Sequence, residues 1–221
     1  MNIFTDRRFR LPRKWSNKEL KKFSHYFHGD VINVSGWNDV DKEGEFYSQY
    51  FNNSSTYTIS NYSGQRGFSG KNDEIFLDLS VPLDKNLYGK FDVVFNHTTL
   101  EHIFDFSSAF QNICNLSRDV VILVVPFAQI VHENSSYDDF WRFTPSSISK
   151  LFIINKYKII YQSCSPNWNA GIYLFFIASK NSKKWKKVFP LKNRVKRSPG
   201  YWIGIHPFRD LISMFIKFIK Y

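Results

Sequence analysis

The chain has 221 residues, 43% of them hydrophobic and 19% aromatic, enough for one α/β domain with a sizeable core and a small appendage. It carries 30 Lys and Arg against 19 Asp and Glu, a net charge of +11 concentrated at its basic ends, which points to an anionic surface, either membrane headgroups or nucleic acid. Its two cysteines, Cys114 and Cys164, stand apart with no CxxC and no His-rich spacing, which excludes a disulfide framework or a zinc module and suggests reduced thiols of a cytosolic protein that holds no metal.

The first 27 residues form a basic segment, with Arg7, Arg8, Arg10, Arg13, Lys14, Lys18, Lys21 and Lys22. No apolar stretch of a signal peptide follows it. From residue 28 to 180, short β-branched and aromatic runs alternate with stretches at helical spacing. "DVINVS" (30–35) reads as a strand and runs into "GWNDVDKEG", which has the outline of a cofactor-cradling turn. Residues 44–51 have a helix-compatible pattern. "STYTIS" (55–60), "DEIFLDL" (73–79) and "KFDVVFN" (90–96) are three further strands. "FSSAFQNICNL" puts Phe106, Phe110, Ile113 and Leu116 on one helical face over 107–117, with Ser107 as the expected N-cap. "RDVVILVVPF" (118–127) is the most apolar run, expected as a central parallel strand buried on both faces. Thr144 before Pro145 makes a good cap for a helix over 144–152. "KYKIIYQSC" (156–164) and "AGIYLFFIAS" (170–179) have no room for a helix between them, so they should pair as an antiparallel hairpin at a sheet edge. Seven strands with intervening helices predict a Rossmann-like, doubly wound and mostly parallel sheet, with ligands outside the carboxyl ends of the strands.

The order of these motifs resembles the class I S-adenosylmethionine-dependent methyltransferases, and within them the type 11-like enzymes of surface-polysaccharide and glycolipid pathways. Three blocks carry the resemblance. "FDVVFNHTTLEHIFDFSSAFQNICNLSRDVVILVVPF" (91–127) looks like the fourth strand, the "LEH" segment, a helix and a fifth strand. "YDDFWRFTPSSISKLF" (137–152) is similar to the aromatic-rich block before the next helix, and "IFLDLSVPLD" (75–84) to a third strand ending in Asp-Leu. The resemblance implies S-adenosylmethionine as cofactor, with Ser35, Gly36 and Trp37 in the first loop, Asp78 and Leu79 near the adenine, and Asn96 and Glu101 after the fourth strand. Two positions depart from the pattern. Only Gly36 remains of a glycine-rich loop, and Asn61 stands where an acidic residue would bind the ribose diol, a weaker, uncharged contact. Asp39 or Asp41 could supply that charge instead.

Methyl transfer to a sugar hydroxyl depends on positioning and is helped by a general base. His102 in "LEHIFD" is the leading candidate, because histidine titrates near working pH, with His97 as the alternative. His132, Tyr137, Trp141 and Arg142 should overhang the acceptor, Trp141 stacking on a sugar face and Arg142 clamping a carboxylate or phosphate. Capping or packing at the start of the next element competes for His102, and a structural salt bridge under the sheet edge for Arg142. P-loop, HExxH and GxSxG patterns are absent, so kinase and hydrolase readings are poor.

Residues 181–221 form a last unit. "KNSKKWKKVFPLKNRVKR" (180–197) has nine basic residues and no acidic one, and from Pro207 onward Phe208, Leu211, Ile212, Phe215 and Ile219 share a helical face. This resembles an interfacial anchor, too short and charged to span a bilayer. A helix packed on its own domain or on a second subunit of a homodimer is the competing reading. The expected protein is a cytoplasmic methyltransferase, peripheral on the inner face of the plasma membrane, that O-methylates a glycan or lipid-linked sugar. A non-catalytic partner in a polysaccharide assembly complex is the alternative. Nucleic acid is not expected, because "NHTTLEH" stands where amino-methylating enzymes place an Asn/Asp-Pro-Pro-aromatic signature.

Overall fold

The computed structural model describes residues 11–63, 67–71, 73–129, 131–133, 135–165, 173–189 and 215. The predicted C-terminal helix, apart from Phe215, and the basic run beyond 189 lie outside these residues. Helix α1 (Leu11–Lys21) precedes strand β1 (Gly29–Val34), followed by β2 (Ser54–Asn61), β3 (Glu74–Phe76) and β4 (Phe91–His97). Helix α2 (Phe106–Leu116), β5 (Ser117–Pro126), α3 (Pro145–Ile154), β6 (Lys158–Cys164) and β7 (Tyr173–Ser179) complete the order.

The seven strands form one sheet in the order β3-β2-β1-β4-β5-β7-β6. The first five are parallel, and β7 runs antiparallel between β5 and β6. This is the expected doubly wound sheet with its terminal hairpin at one edge. Strand order reverses between β1 and β4, where Val31 pairs with Val93 and Val34 with Asn96, so the crevice at their carboxyl ends is where such a sheet receives a ligand.

Alternation along the strands divides the core. Val94, Val121, Leu123 and Val125 pack under α2 and α3, against Phe110, Ile113, Ile148 and Phe152. Val93, Phe95, Ile122 and Val124 face the other way, toward Leu20, Phe27, Tyr50 and Trp185. β5 is buried continuously from Val120 onward, as a central strand covered on both faces must be. Trp185 and Phe189 of the basic run are buried on this second face, the Trp185 indole donating to Asp119 Oδ2 at 3.1 Å, while Lys183, Lys184, Lys186 and Lys187 point outward.

Helix α1 docks through polar groups. Ser16, Asn17 and Glu19 are buried along with Leu20. Asn17 donates to Asp41 Oδ2 at 2.9 Å and accepts from the Tyr47 hydroxyl at 3.3 Å, and Glu19 accepts from the hydroxyls of Tyr161 and Ser163.

Three local expectations need correction. Residues 44–51 do not form an α-helix; only a single 3-10 turn, Tyr47–Phe51, appears. Asp41 Oδ1 accepts from the Glu43 and Glu45 amides at 2.6 and 3.0 Å, and such side-chain bonds compete with a helix. The cap of α2 is Asp105, which accepts from Ser108 N–H at 3.1 Å, so Ser107 lies inside the helix. β3 spans only Glu74–Phe76 as the sheet's edge, with Asp78 and Leu79 beyond it. Helix α3 begins as predicted, with a reciprocal Thr144–Ser147 capping box and Pro145 in the first turn.

Candidate functional site

Backbone strain concentrates at the two strand ends that flank the crossover. After β1, Ser35, Trp37 and Asp39 have φ of 58°, 49° and 61°, and after β4 Thr98 has φ of 51°. A bulky or β-branched residue in this left-handed region is an outlier that the surroundings must hold in place. Here they do. The Trp37 amide donates to Asn61 Oδ1 at 2.7 Å, and Thr98 is fixed by its amide on Val124 O at 2.8 Å and by Arg13 Nη2 on its hydroxyl at 2.6 Å.

The first loop turns its donors toward β2. Ser35 N–H reaches Ser60 Oγ at 3.4 Å and Gly36 N–H reaches Ser60 O at 3.2 Å. Asn61 Nδ2 donates back to Trp37 O at 3.1 Å and to Glu74 Oε1 at 2.7 Å. Asn61 thus braces the loop with its whole amide. Gly36 is required by close packing: a Cβ there would sit 2.7 Å from Asn33 Nδ2 and 3.0 Å from Ile59 Cγ2. Asp39 accepts from Asn33, Tyr57 and the Ser48 amide, and Asp41 from Asn17 and Tyr50. Both carboxylates are buried supports of the loop and do not supply a free charge to a ribose.

Asp78 and Leu79 follow β3. One Asp78 oxygen accepts from the Ser80 amide and hydroxyl at 2.8 and 2.6 Å, and its Oδ2 has no hydrogen bond among the described residues. Leu79 is buried, and its carbonyl accepts from Asn112 at 3.0 Å.

His97 and Asn96 are neighbours on β4 and so face opposite sides of the sheet. His97 faces α1. Its Nδ1 accepts from Arg13 Nη1 at 2.7 Å and its Nε2 donates to Ser16 Oγ at 2.8 Å. Burial and the Arg13 charge push its pKa well below the ordinary value, so it is neutral with both nitrogens engaged. Asn96 donates to Val34 O and Thr99 Oγ1, both at 3.0 Å, while its Oδ1 is buried with no partner.

A second group forms beyond β4. Glu101 is fully buried, and neither carboxyl oxygen has a hydrogen bond among the described residues. Burial pushes its pKa up to about 8, with its own backbone amide and then Arg13 pulling part of the way back. His102 Nε2 lies 3.8 Å from Glu101 Oε1, and its Nδ1 meets the Asp138 carbonyl, which fixes the ring proton on Nδ1 and leaves the lone pair on Nε2. Desolvation lowers the His102 pKa. Burial thus moves both groups toward their neutral forms and weakens any ion pair between them.

The segment 132–142 closes over them. The His102 ring lies 4.9 Å from that of His132 and 4.7 Å from that of Tyr137. Asp139 accepts from the His132 amide at 2.8 Å, lies 3.0 Å from His132 Nδ1, and is clamped by Arg142 Nη1 and Nη2 at 2.6 and 2.5 Å. The Phe140 and Trp141 amides both reach Glu101 O. The Trp141 indole donates to the Ile103 and Phe104 carbonyls at 3.1 and 3.0 Å and packs edge-on against Phe106. Arg142 therefore orients Asp139 in a salt bridge, the competing role for that residue, and Trp141 packs into the wall where a sugar-stacking role was expected. Glu101, His102, His132 and Tyr137 are brought together. The first-loop residues form a separate group with Asn61.

Sequence reasoning missed Arg13, Asp139 and the joining of His132 to Glu101. Glu101 O accepting two amides from the 140–141 segment brings that about, and no local pattern encodes it.

No protein-family model and no curated protein sequence matches the chain. Solved structures do match its fold. An S-adenosylmethionine-dependent methyltransferase from Clostridium acetobutylicum aligns with a TM-score of 0.53 at 11% identity, over 76% of this chain and 91% of that one. The magnesium protoporphyrin IX methyltransferase of Synechocystis, solved with its bound methyl donor, gives 0.52 at 13% identity, over 81% and 88%. A methyltransferase from Mesorhizobium loti gives 0.50 at 8% identity, over 68% and 90%. At these identities the likeness is one of fold, and the fold is that of the class I methyltransferases.

Proposed function

We propose that the chain is an S-adenosylmethionine-dependent methyltransferase that methylates an oxygen of a sugar or lipid-linked glycan precursor. The observation that carries this reading is an orphaned carboxyl, Glu101, beside the free lone pair of His102, just past the switch point of a methyltransferase sheet. S-adenosylmethionine, when bound, supplies an electrophilic methyl group on a cationic sulfonium that also bears an ammonium group. The residues fit such a cation on the β4 side, because Asn96 Oδ1 is a buried acceptor without a donor. Asp78, with one carboxylate oxygen uncommitted, would hold the adenine amine. The first loop would contribute shape more than hydrogen bonds, since the amides of Ser35, Gly36 and Trp37 already bond to β2.

His102 is the group that would take the acceptor's proton, on Nε2. Its Nδ1 on the Asp138 carbonyl keeps the ring oriented, and neutrality at working pH leaves it able to act. The glycan assignment rests on the sequence blocks at 91–127 and 137–152. The outward-facing lysines at 183, 184, 186 and 187 favour an anionic membrane surface as the place of work, where a lipid-linked acceptor resides. Unchanged binding to anionic vesicles after deletion of 190–221 would remove the tail from that account.

A specific observation favours a second reading. With its amides engaged and no helix after β1, the first loop lacks the dipole and donors of a working cradle, as a non-catalytic partner protein would. Calorimetric titration with S-adenosylmethionine and its demethylated product, on the wild type and on Asp78→Ala, separates the two. Micromolar binding weakened in the variant supports the enzyme; no heat at millimolar cofactor supports the partner.

A further inference from the structure

We propose that Glu101, His102 and His132 bind one divalent first-row transition-metal ion. The site stands on its own geometry; only its role, holding the acceptor hydroxyl, rests on the methyltransferase reading. One carboxylate oxygen of Glu101 and one ring nitrogen of each histidine all lie within 4.8 Å of one another. Ligands at zinc-like bond lengths stand about 3.4 Å apart, so each need move only about one ångström to share an ion.

The surroundings are those a metal-bound histidine requires. Such a histidine donates its other ring N–H to a carbonyl or carboxylate, which sets the tautomer and the ring direction. His102 Nδ1 does this to the Asp138 carbonyl. For His132 the carboxylate is near but not hydrogen-bonded to the ring: Nδ1 lies 3.0 Å from Asp139 Oδ2, and Asp139, which accepts from the His132 amide, is itself fixed by the Arg142 fork. Two histidines thirty residues apart in sequence thus meet consecutive residues of one segment, Asp138 orienting the His102 ring and Asp139 lying beside that of His132.

Glu101 is the second, independent observation. A buried carboxyl with no hydrogen bond to either oxygen among the described residues is costly, and native proteins seldom leave one. A cation between it and the imidazoles would satisfy it. The nitrogen and oxygen donors, without thiolate, suit Zn²⁺, Co²⁺, Fe²⁺ or Mn²⁺ better than Ca²⁺ or Mg²⁺. Three protein ligands leave a position open, the pattern of a working metal more than a structural one. With the ion bound, His102 Nε2 is a ligand and no longer the base; an acceptor oxygen taking the open position would be held in place and would lose its proton more readily to solvent.

The test uses the full chain, stripped with a chelator and titrated with Co²⁺ followed by visible absorbance and with Zn²⁺ by calorimetry. One equivalent should bind with ligand-field bands, and Glu101→Gln and His132→Ala should each weaken it at least about 100-fold. His25→Ala, at an exposed histidine outside the cluster, should not. Glu101→Gln keeps the side-chain shape, so its circular dichroism and melting curve separate lost ligation from lost folding. S-adenosylmethionine is titrated into the same stripped samples. Cofactor binding without Co²⁺ binding overturns the metal site and spares the methyltransferase reading. Co²⁺ binding without cofactor binding does the reverse. Co²⁺ binding that survives both cluster variants also overturns the site.

Discussion

Asn61 holds Trp37 by both backbone groups, accepting from its amide at 2.7 Å and donating to its carbonyl at 3.1 Å. The same Nδ2 reaches Glu74, whose pKa is held down to about 2, first by this amide and then by Ser69 and Lys71. Asn61→Ala should destabilise the fold by about 2 kcal/mol in urea denaturation and raise the Glu74 pKa in an NMR titration. Restoring the acid of the family pattern, Asn61→Asp, should not help: it removes both donated bonds and sets a carboxylate against Glu74.

Gly36 sits where a methyl group would strike Asn33, and Asn33 is itself held by Asp39 at 2.8 Å. Gly36→Ala should therefore cost about 1–3 kcal/mol, because the neighbour cannot yield without breaking that bond. A thermal melt of the variant checks this. An unchanged melting temperature would mean that the loop is loose.

His97 predicts an acid-sensitive stability. Its folded pKa lies below the unfolded value of 6.5, so the folded state binds fewer protons and its contribution is complete above pH 6.5. Stability should fall as the pH drops from 6.5 toward the folded pKa, by at most about 1.4 kcal/mol per pH unit from this one site. Urea midpoints between pH 7.5 and 5 should show the slope, and His97→Gln should flatten it.

Arg142→Ala would strip Asp139 of its bidentate partner and leave a buried carboxylate. The expected loss is about 3 kcal/mol. Arg142→Lys should recover only part of it, since an ammonium cannot make the paired contact. A direct substrate clamp would instead leave folding unchanged and raise KM alone.

What the sequence made legible was what neighbours decide. The run at 118–127 and the Thr144–Pro145 start each encode their element within a few residues, and both appear where expected. His97 was expected just past the fourth strand as an alternative base; it is instead the last residue of β4, and alternation sends it to the face opposite Asn96. Other features depend on distant partners. Nothing near Gly36 says that Asp39 and Asp41 will take the place of a helix, because the groups that satisfy them include Asn17 and Tyr57. Nothing near His132 says that it will meet Glu101, because the fold of 132–142 over β4 decides it.

The polar docking of α1 bears on how the chain assembles. Ser16, Asn17 and Glu19 find their partners on β4, the first loop and β6, the last of these 142 residues away in Tyr161. A helix with so little apolar surface of its own gains nothing from early collapse, and loop closure over that distance comes late. During synthesis α1, made before the whole sheet, is therefore among the last elements to settle, waiting for the hairpin at the sheet's far edge.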